Sequence, residues 1–588
     1  MNDYSYFLTP TVIAATLLSI ALLAVDTAIV LRHTVWANRA LPRWVGFLPA
    51  LAFLLLVGHA IANIIFNPIF VLMSMPIYLA TLLLVVAGIA SGIAGLIRRR
   101  VKRPPPARRL YLPSAALSLL CAALLLFGVF RLTQTYGFAL SIAPRITALE
   151  NAPGGADFSE STWSEGFEGL IETLKAEYPY TDHKQLDWDA LSAEFAPRIA
   201  DAQAQGDTEA YYRALREFAW RIPDAHIGLE GDDGGLKQAD VGGSYGLTLL
   251  QLDDGRVVVS DITADGPAAQ AGMTPGTEIT SWNGTPIVEA LEQTPILWSE
   301  TPAATSEAHQ VMQARFLSRG PVGSPAEVTF HNRGETKPRT ETLTAVAADL
   351  EEHGDLGLTG LTGATVSGLV LPSGYGYIRV RNVIPNLAGF PDDQMERAVA
   401  QLNARHVPGI LIDVRDNLGG ESKLTAGMLA PFYADSRVFQ YMNLPEATGA
   451  FALSSAGALR IEPSSTQYHG PLAVLVDVYS HSSAEDFALY LGKLPNVIVV
   501  GINGTAAAGG VSESAVDLPG GYTLLFPKGQ SLDEQFGIQI ESDASGSGGV
   551  TPDIRVPLDD AAVDALNAGH DIVLERAEVA LREQLAAP

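Results

Sequence analysis

Polar and apolar positions change rhythm three times along this chain. Through the first 135 residues, four apolar stretches run almost unbroken, at about 10–31, 44–66, 69–97 and 110–132. Each is long enough for the roughly 20 helical residues that cross a hydrocarbon core, and four such runs are too many for a cleaved signal peptide. From Phe158 to Trp220 the spacing becomes helical: "WSEGFEGLIETLKAEYPY" and "AYYRALREFAWRI" place apolar residues three and four apart. The loop "PDAHIGLEGDDGG" follows. From Gly242 to Ile287 short β-type runs alternate with turn signals at Asp254-Gly255, Asp265-Gly266 and Asn283-Gly284. A β-like tail then runs to about Val346. Beyond Gly374 strands and helices alternate: "GYGYIRVRNV", "DDQMERAVAQLNA", "GILIDVRDNLGG", "LAVLVDV" and "VIVVGING", in chain order. That alternation predicts a largely parallel α/β sheet, in which sites form just beyond the carboxyl ends of the strands. Both "DNLGG" and "SHSSAE" stand at such ends.

The chain is thus expected to be multidomain. A four-helix transmembrane region (1–135) precedes a helical segment (150–240), a β-rich domain (241–346) and an α/β core (365–588). Charge sharpens the first boundary. Residues 1–135 carry 11 Lys/Arg and 2 Asp/Glu, whereas residues 136–588 carry 27 and 62. The basic residues of the first part fall between the first and second apolar runs (Arg32, Arg39, Arg43) and in "RRRVKRPPPARR" between the third and fourth. The positive-inside rule makes both loops cytoplasmic, so the acidic body is expected outside the cytoplasm, on an integral membrane protein of the cell membrane. Asp26 and His59 fall within the expected spans, where ionisable groups are costly. Polar contacts between helices account for them, and a transport pathway is the rival reading.

An acidic body excludes nucleic acid as a partner, since phosphate binding needs a basic face. Cys121 is the only cysteine, which leaves no disulfide framework and no cysteine-based zinc site. There is no HExxH and no Walker-type loop, so neither a metal nor any other cofactor is expected, and no ATP use.

Candidate chemistry concentrates at "YSHSSAEDFA". Ser482-Ser483-Ala484-Glu485 fits an S-x-x-E capping box, and a serine at a helix start is equally placed to be a nucleophile beside the positive end of the helix. "DVRDNLGG", "YSHSSAEDFA" followed by "VVGINGTAAAGG", and "GGVTPDIRVP" occur in this order in the tricorn core protease and the C-terminal processing peptidases. "PDAHIGL" resembles the histidine loop of the tricorn-like branch, and "GPAAQAGMTPGTEITSWNG" with the preceding "SYGL" resembles a PDZ domain. From about Phe158 to the C-terminus the chain therefore resembles this group of serine peptidases, whose core is a Clp-protease/crotonase-like spiral.

The resemblance implies a serine endopeptidase with Ser482 as nucleophile. Aligning Gly501 with the family glycine puts Ala507 where the processing peptidases carry a catalytic lysine, so a Ser-Lys dyad is not expected. The tricorn-like branch uses a histidine base, matched by His226; His481 is the rival, set aside because adjacent side chains rarely face each other. By resemblance the oxyanion donors are Gly419 or Gly420 and Ser483. The orienting glutamate is matched by Glu541, with Asp543 as an alternative because "DASGSG" separates Glu541 from the "GVTPD" motif. Ala225, before His226, departs from the serine of tricorn itself. Ser244, Tyr245, Gly246 and Leu247 occupy the place of the PDZ carboxylate-binding loop, which implies polypeptide partners held by β-augmentation through their free C-termini. A homo-oligomer is compatible with the sequence. The alternative is a catalytically weak ligand-binding or scaffold protein, since the interphotoreceptor retinoid-binding protein shares this fold and binds lipophilic ligands.

Overall fold

A computed structural model describes residues 155–350, 363–386, 388–446 and 450–586. Three helices open it: α1 (Trp163–Glu177), α2 (Trp188–Gln205) and α3 (Thr208–Trp220). Each begins on a side chain that takes up an orphan N–H: Thr162 accepts from Glu165, Asp187 from Ala190 and Asp207 from Ala210. Their apolar faces, including Leu170, Leu174, Ile199 and Phe218, form one core with Val516, Leu524 and Phe526 from far along the chain. A three-residue strand, β1 (Gly228–Glu230), follows the loop after α3.

Next, β2 (Leu247–Gln251), β3 (Val257–Ile262), β4 (Glu278–Trp282), β5 (Pro325–His331) and β6 (Arg339–Thr344) form an antiparallel sheet in the order β6-β5-β4-β3-β2. Strand β2 is therefore an edge. Helix α4 (Ser306–Leu317) packs along it.

The remaining elements are β7 (Val366–Val370), β8 (Gly376–Val380), α5 (Pro391–Ala404), β9 (Ile410–Asp413), α6 (Ser422–Leu429), β10 (Arg437–Pro445), β11 (Leu472–Val476), α7 (Ser483–Gly492), β12 (Val497–Gly501), β13 (Gly510–Leu518), β14 (Tyr522–Leu532), β15 (Ile554–Arg555) and α8 (Ile572–Ala586). One sheet runs β7-β8-β9-β11-β12-β15; β7 is antiparallel to β8 and every other pair is parallel. Strands β9 and β11 are buried at every position, as parallel strands covered on both faces must be. A second sheet is built on β13, β14 and β10, and β1 joins it by pairing antiparallel with β14, Gly228 opposite Leu525 and Glu230 opposite Thr523. The sequence reading did not foresee this sheet.

The expected four spanning helices require correction. The apolar region 1–135, with Asp26, His59 and Cys121, lies outside the described residues, and among those described no helix is long and apolar enough to cross a membrane. The physical reason is amphipathicity. The 18-residue α2 buries Trp188, Phe195, Ile199 and Ala202 on one face and carries Asp189, Glu194, Arg198 and Asp201 elsewhere. The architecture described is mixed α/β, and the integral-membrane localisation does not stand on it.

Candidate active site

Between β11 and α7 the chain turns through Ser482, with φ +54° and ψ −124°. A non-glycine residue in such a region costs on the order of 1–3 kcal/mol and persists only where its surroundings impose it. Here they do. The buried Glu485 carboxylate accepts the Ser482 N–H at 2.9 Å, Thr505 Oγ1 at 2.5 Å, and the N–H groups of Ala507 and Ala508 at 2.7 and 2.8 Å. One side chain thus holds both the Ser482 turn and the 505–508 loop, whose Ala507 also has positive φ. On the other side of Ser482, His481 donates its N–H to the Asn417 carbonyl (2.9 Å) and its Nε2 bonds the Ala225 carbonyl (2.8 Å).

The glycine turn lies directly against this serine. A Cβ on Gly419 would stand 2.7 Å from Ser482 Cβ and 2.9 Å from Ser483 N, so only glycine fits. Asn417, fully buried, fixes the turn: its Oδ1 accepts the Gly419 N–H (2.8 Å) and its Nδ2 donates to the Val380 carbonyl (3.1 Å). Gly419 therefore has its amide committed. Gly420 bridges to Val383, with the Gly419 carbonyl accepting from Val383 and Glu421 donating back. That pattern leaves the Gly420 N–H on the opposite side. Ser483 Oγ donates to the Gly420 carbonyl at 2.7 Å, and Ser483 N–H, at the first position of α7, is one of the donors every helix start leaves over.

His226 is brought here by β1. The pairing of β1 with β14 anchors the residues just after it, and Asp224 Oδ1 accepts the His226 N–H at 2.8 Å, setting the loop before it. The His226 and His481 rings lie with centroids 4.8 Å apart. His226 Nδ1 is buried and without a hydrogen-bond partner; Asp224 Oδ1 is 3.9 Å away. One ligand-type atom each of Asp224, His226 and Glu541 falls within 4.8 Å of the others. The cation facing these carboxylates is Lys184, whose Nζ is 2.7 Å from Glu541. Burial first, then the neighbouring His481, push the His226 imidazole down to about 3, with Asp224 pulling the other way. The ring is therefore neutral at neutral pH, as a proton acceptor must be.

Residues 374–556, which hold Ser482, the glycine turn and Glu541, match the model of peptidase family S41, and residues 159–209 match that of the tricorn protease C1 domain. The chain is a serine-type peptidase. Its fold is similar to that of mature CPAF complexed with lactacystin, at 16% identity and a TM-score of 0.50 over 72% of this chain and 97% of that one. A crystal structure of mature CPAF gives 15%, 0.51, 72% and 96%. The photosystem II D1 C-terminal processing protease aligns at 18% identity over 70% of this chain and 99% of its own, with a TM-score of 0.36.

Within this peptidase the structure brings Ser482, Ser483, Gly419, Gly420, His226 and Glu541 into one neighbourhood. His481 lies there too, as a tether between the serine turn and the histidine loop. Asp543 does not: it is half-buried and accepts from Ser545, closing its own turn. Ser244, Tyr245, Gly246 and Leu247 lie elsewhere, at the start of edge strand β2. Two of their amides are already bonded, Gly246 N–H to Ser244 Oγ (3.0 Å) and Tyr245 N–H to the Ser318 carbonyl (3.2 Å). The sequence reading passed over Lys184, Asp224 and Asn417 and saw Glu485 only as a cap. Asp224 and Asn417 stand inside motifs already quoted, so their proximity was a usable signal. Lys184 offered none.

Proposed function

We propose that Ser482 is the nucleophile, His226 its general base and Glu541 the carboxylate that orients the histidine, in an ATP-independent endopeptidase acting on polypeptides. The observation that carries this reading is the junction of the two loops. The Ser482 turn is tied to the His226 loop through the His481–Ala225 bond, while the unpartnered Nδ1 of His226 faces Asp224 at 3.9 Å and the ring clusters with the Asp224 and Glu541 carboxylates. With Nδ1 on that side, Nε2 is the nitrogen left to take the proton from Ser482 Oγ as Oγ bonds to the scissile carbonyl carbon. The carbonyl electron pair moves onto oxygen, received by the N–H groups of Gly420 and Ser483. Gly419 serves the turn, since its own amide is held by Asn417. Collapse of the intermediate expels the amine, which takes the proton from His226. Water repeats the sequence on the acyl-enzyme, releasing the acid and restoring the Ser482 hydroxyl. Glu541 stabilises the imidazolium formed in each half.

We read residues 150–240 as the segment that supplies the base, 241–346 as a PDZ domain and 365–588 as the peptidase core. The free edge of β2 beside α4 is the place for a substrate strand to add. Because the Tyr245 and Gly246 amides are occupied, a C-terminal carboxylate must displace the Ser244 hydroxyl to be held there.

The full-length chain treated with a fluorophosphonate probe tests the mechanism, with the labelled residue located by mass spectrometry. Label on Ser482 that is lost in Ser482→Ala and His226→Ala is the expected result. A folded protein that stays unlabelled, even with C-terminal peptides present, would refute the assignment and favour a non-catalytic binding role on this fold.

A further inference from the structure

A lysine with no exposed side-chain surface needs a reason to be charged where it is. Lys184 closes the one-turn helix Thr181–Lys184, between α1 and α2, and reaches into the site from a part of the chain with no motif of its own. Its Nζ donates to the Pro223 carbonyl at 2.7 Å, to Ser542 Oγ at 2.7 Å and to the Ser542 carbonyl at 3.1 Å, and lies 2.7 Å from Glu541 Oε1, both side chains being fully buried. The other carboxylate oxygen, Oε2, accepts the Gly509 N–H at 2.9 Å. Glu541 is therefore gripped at both oxygens, and its orientation towards His226 is not left to rotamer chance.

Charge makes the same point. Asp224 is buried beside Glu541 and accepts Tyr178 Oη–H at 2.7 Å and the His226 N–H. Two buried carboxylates so close disfavour each other's ionisation. Burial first, then Asp224, push the Glu541 carboxyl up to about 8, and the Lys184 ammonium and the Gly509 N–H limit that rise. A Glu541 that took up a proton would cease to favour the imidazolium.

We infer that Lys184 is a positioning residue of this peptidase: its ammonium grips the Glu541 carboxylate and aims it at His226. The inference rests on the Ser482–His226–Glu541 reading above. It assigns a lysine to the site in a different role from the catalytic lysine whose place Ala507 occupies. The Pro223 carbonyl and Ser542 hold the ammonium in its place against Glu541.

The test is a double-mutant cycle in the full-length protein, read as the rate of fluorophosphonate labelling of Ser482, with folding followed by thermal melting. Lys184→Met is expected to slow labelling by about 10- to 1,000-fold, below the roughly 10,000-fold loss that a wrongly tautomerised triad histidine suffers. Glu541→Gln alone is expected to slow it at least as much. In the Glu541→Gln background, Lys184→Met should then change the rate by less than about twofold, because the carboxylate it grips is already gone. A folded Lys184→Met protein labelled at the wild-type rate overturns the inference. So does an equal slowing in both backgrounds, which marks a merely structural lysine. Unchanged labelling in Glu541→Gln alone would instead sink the triad reading itself. Should Lys184→Met fail to fold, Lys184→Gln keeps a donor for Pro223 and Ser542 while removing the charge, and the same comparisons decide.

Discussion

Glu485→Gln is the substitution that most directly probes how Ser482 is held. Four donors converge on the Glu485 carboxylate, at 2.5 to 2.9 Å, and none of the four contacts needs it to donate in return. Glutamine keeps the shape but replaces one oxygen by an NH2 group. If that group faces the Oε2 side, it confronts the N–H groups of Ser482 and Ala508. If it faces the Oε1 side, Thr505 can rotate its hydroxyl away but the Ala507 N–H cannot follow. At least one buried backbone N–H is orphaned in either rotamer, at about 1–3 kcal/mol each. Relief from burying a charge offsets part of this. A net destabilisation of about 1–4 kcal/mol follows, lowering Tm by several degrees.

The effect on Ser482 should exceed the effect on the fold. Its positive φ stores about 1–3 kcal/mol of strain that the Glu485–Ser482 bond helps to hold. Without that bond the residue relaxes and its Oγ leaves the attack position, so fluorophosphonate labelling is expected to fall about 10- to 100-fold. The assay is the labelling rate at a temperature where melting shows the variant fully folded. A folded Glu485→Gln protein labelled at the wild-type rate would refute the idea that this carboxylate sets the Ser482 geometry.

Asp486, the next residue on α7, supplies a contrast. Burial first, then the Glu485 charge, push its carboxyl up to about 7, so its stabilising share is present below about pH 4 and is lost as pH rises through about 7. Asp486→Asn should therefore lose less Tm than the wild type between pH 4 and 8; parallel pH curves would show that Asp486 does not titrate this way. Gly419→Ala places a methyl 2.7 Å from Ser482 Cβ at a φ of +86° and should cut labelling about 100-fold or more, whereas wild-type labelling would show that the turn has room to yield. Where the 247–344 sheet meets the 560–567 helix, Val258 is fully buried against Leu558, Ala562 and Val563, and Val258→Ala should cost about 1–3 kcal/mol in denaturant unfolding. Arg256→Ala there should cost only about 0–1 kcal/mol despite its 2.9 Å contact with Asp560, because the pair is largely solvated. The reverse ranking would mean that charge, not packing, joins the two parts.

Much of this site was legible because its parts are local. "SHSSAE" and "DNLGG" lie at strand ends in an alternating β/α pattern, and the parallel sheet places strand ends side by side. Glu541 was reachable despite the "DASGSG" insertion, since that insertion forms a self-contained surface turn around Asp543. What escaped was non-local. Lys184 and Ser542 are separated by 358 residues, and no periodicity relates them. The "GLE" of β1 is too short to show a β alternation, so its pairing with β14 had no signature, and with it went the sheet that carries His226. The apolar rhythm of residues 1–135 encouraged a membrane architecture. The described α1, α2 and α3 instead bury one face and expose charge on the other, which a helix acquires against a protein core.

The distribution of the site along the chain has a physical consequence. The stretch matching the peptidase family holds the proposed nucleophile, oxyanion donors and orienting glutamate, while the proposed base and Lys184 come from residues ahead of the β2–β6 sheet. That segment is sewn in by core packing of α1–α3 against β13 and β14, by the β1–β14 ladder, and by Arg216, which donates to the Leu297 and Ser299 carbonyls while lying over Trp220. Helix α4 reaches the same place: Glu307, at its start, accepts the Gly504 N–H and pairs with Arg555, and the preceding Ala304 packs against Ala225, Ala506, Ala507 and Ala508. The loop that Glu485 uses to hold Ser482 is thus also the loop on which α4 rests. The edge of β2 lies along the same helix α4, so one helix borders both the place proposed for substrate to add and the loop that holds Ser482.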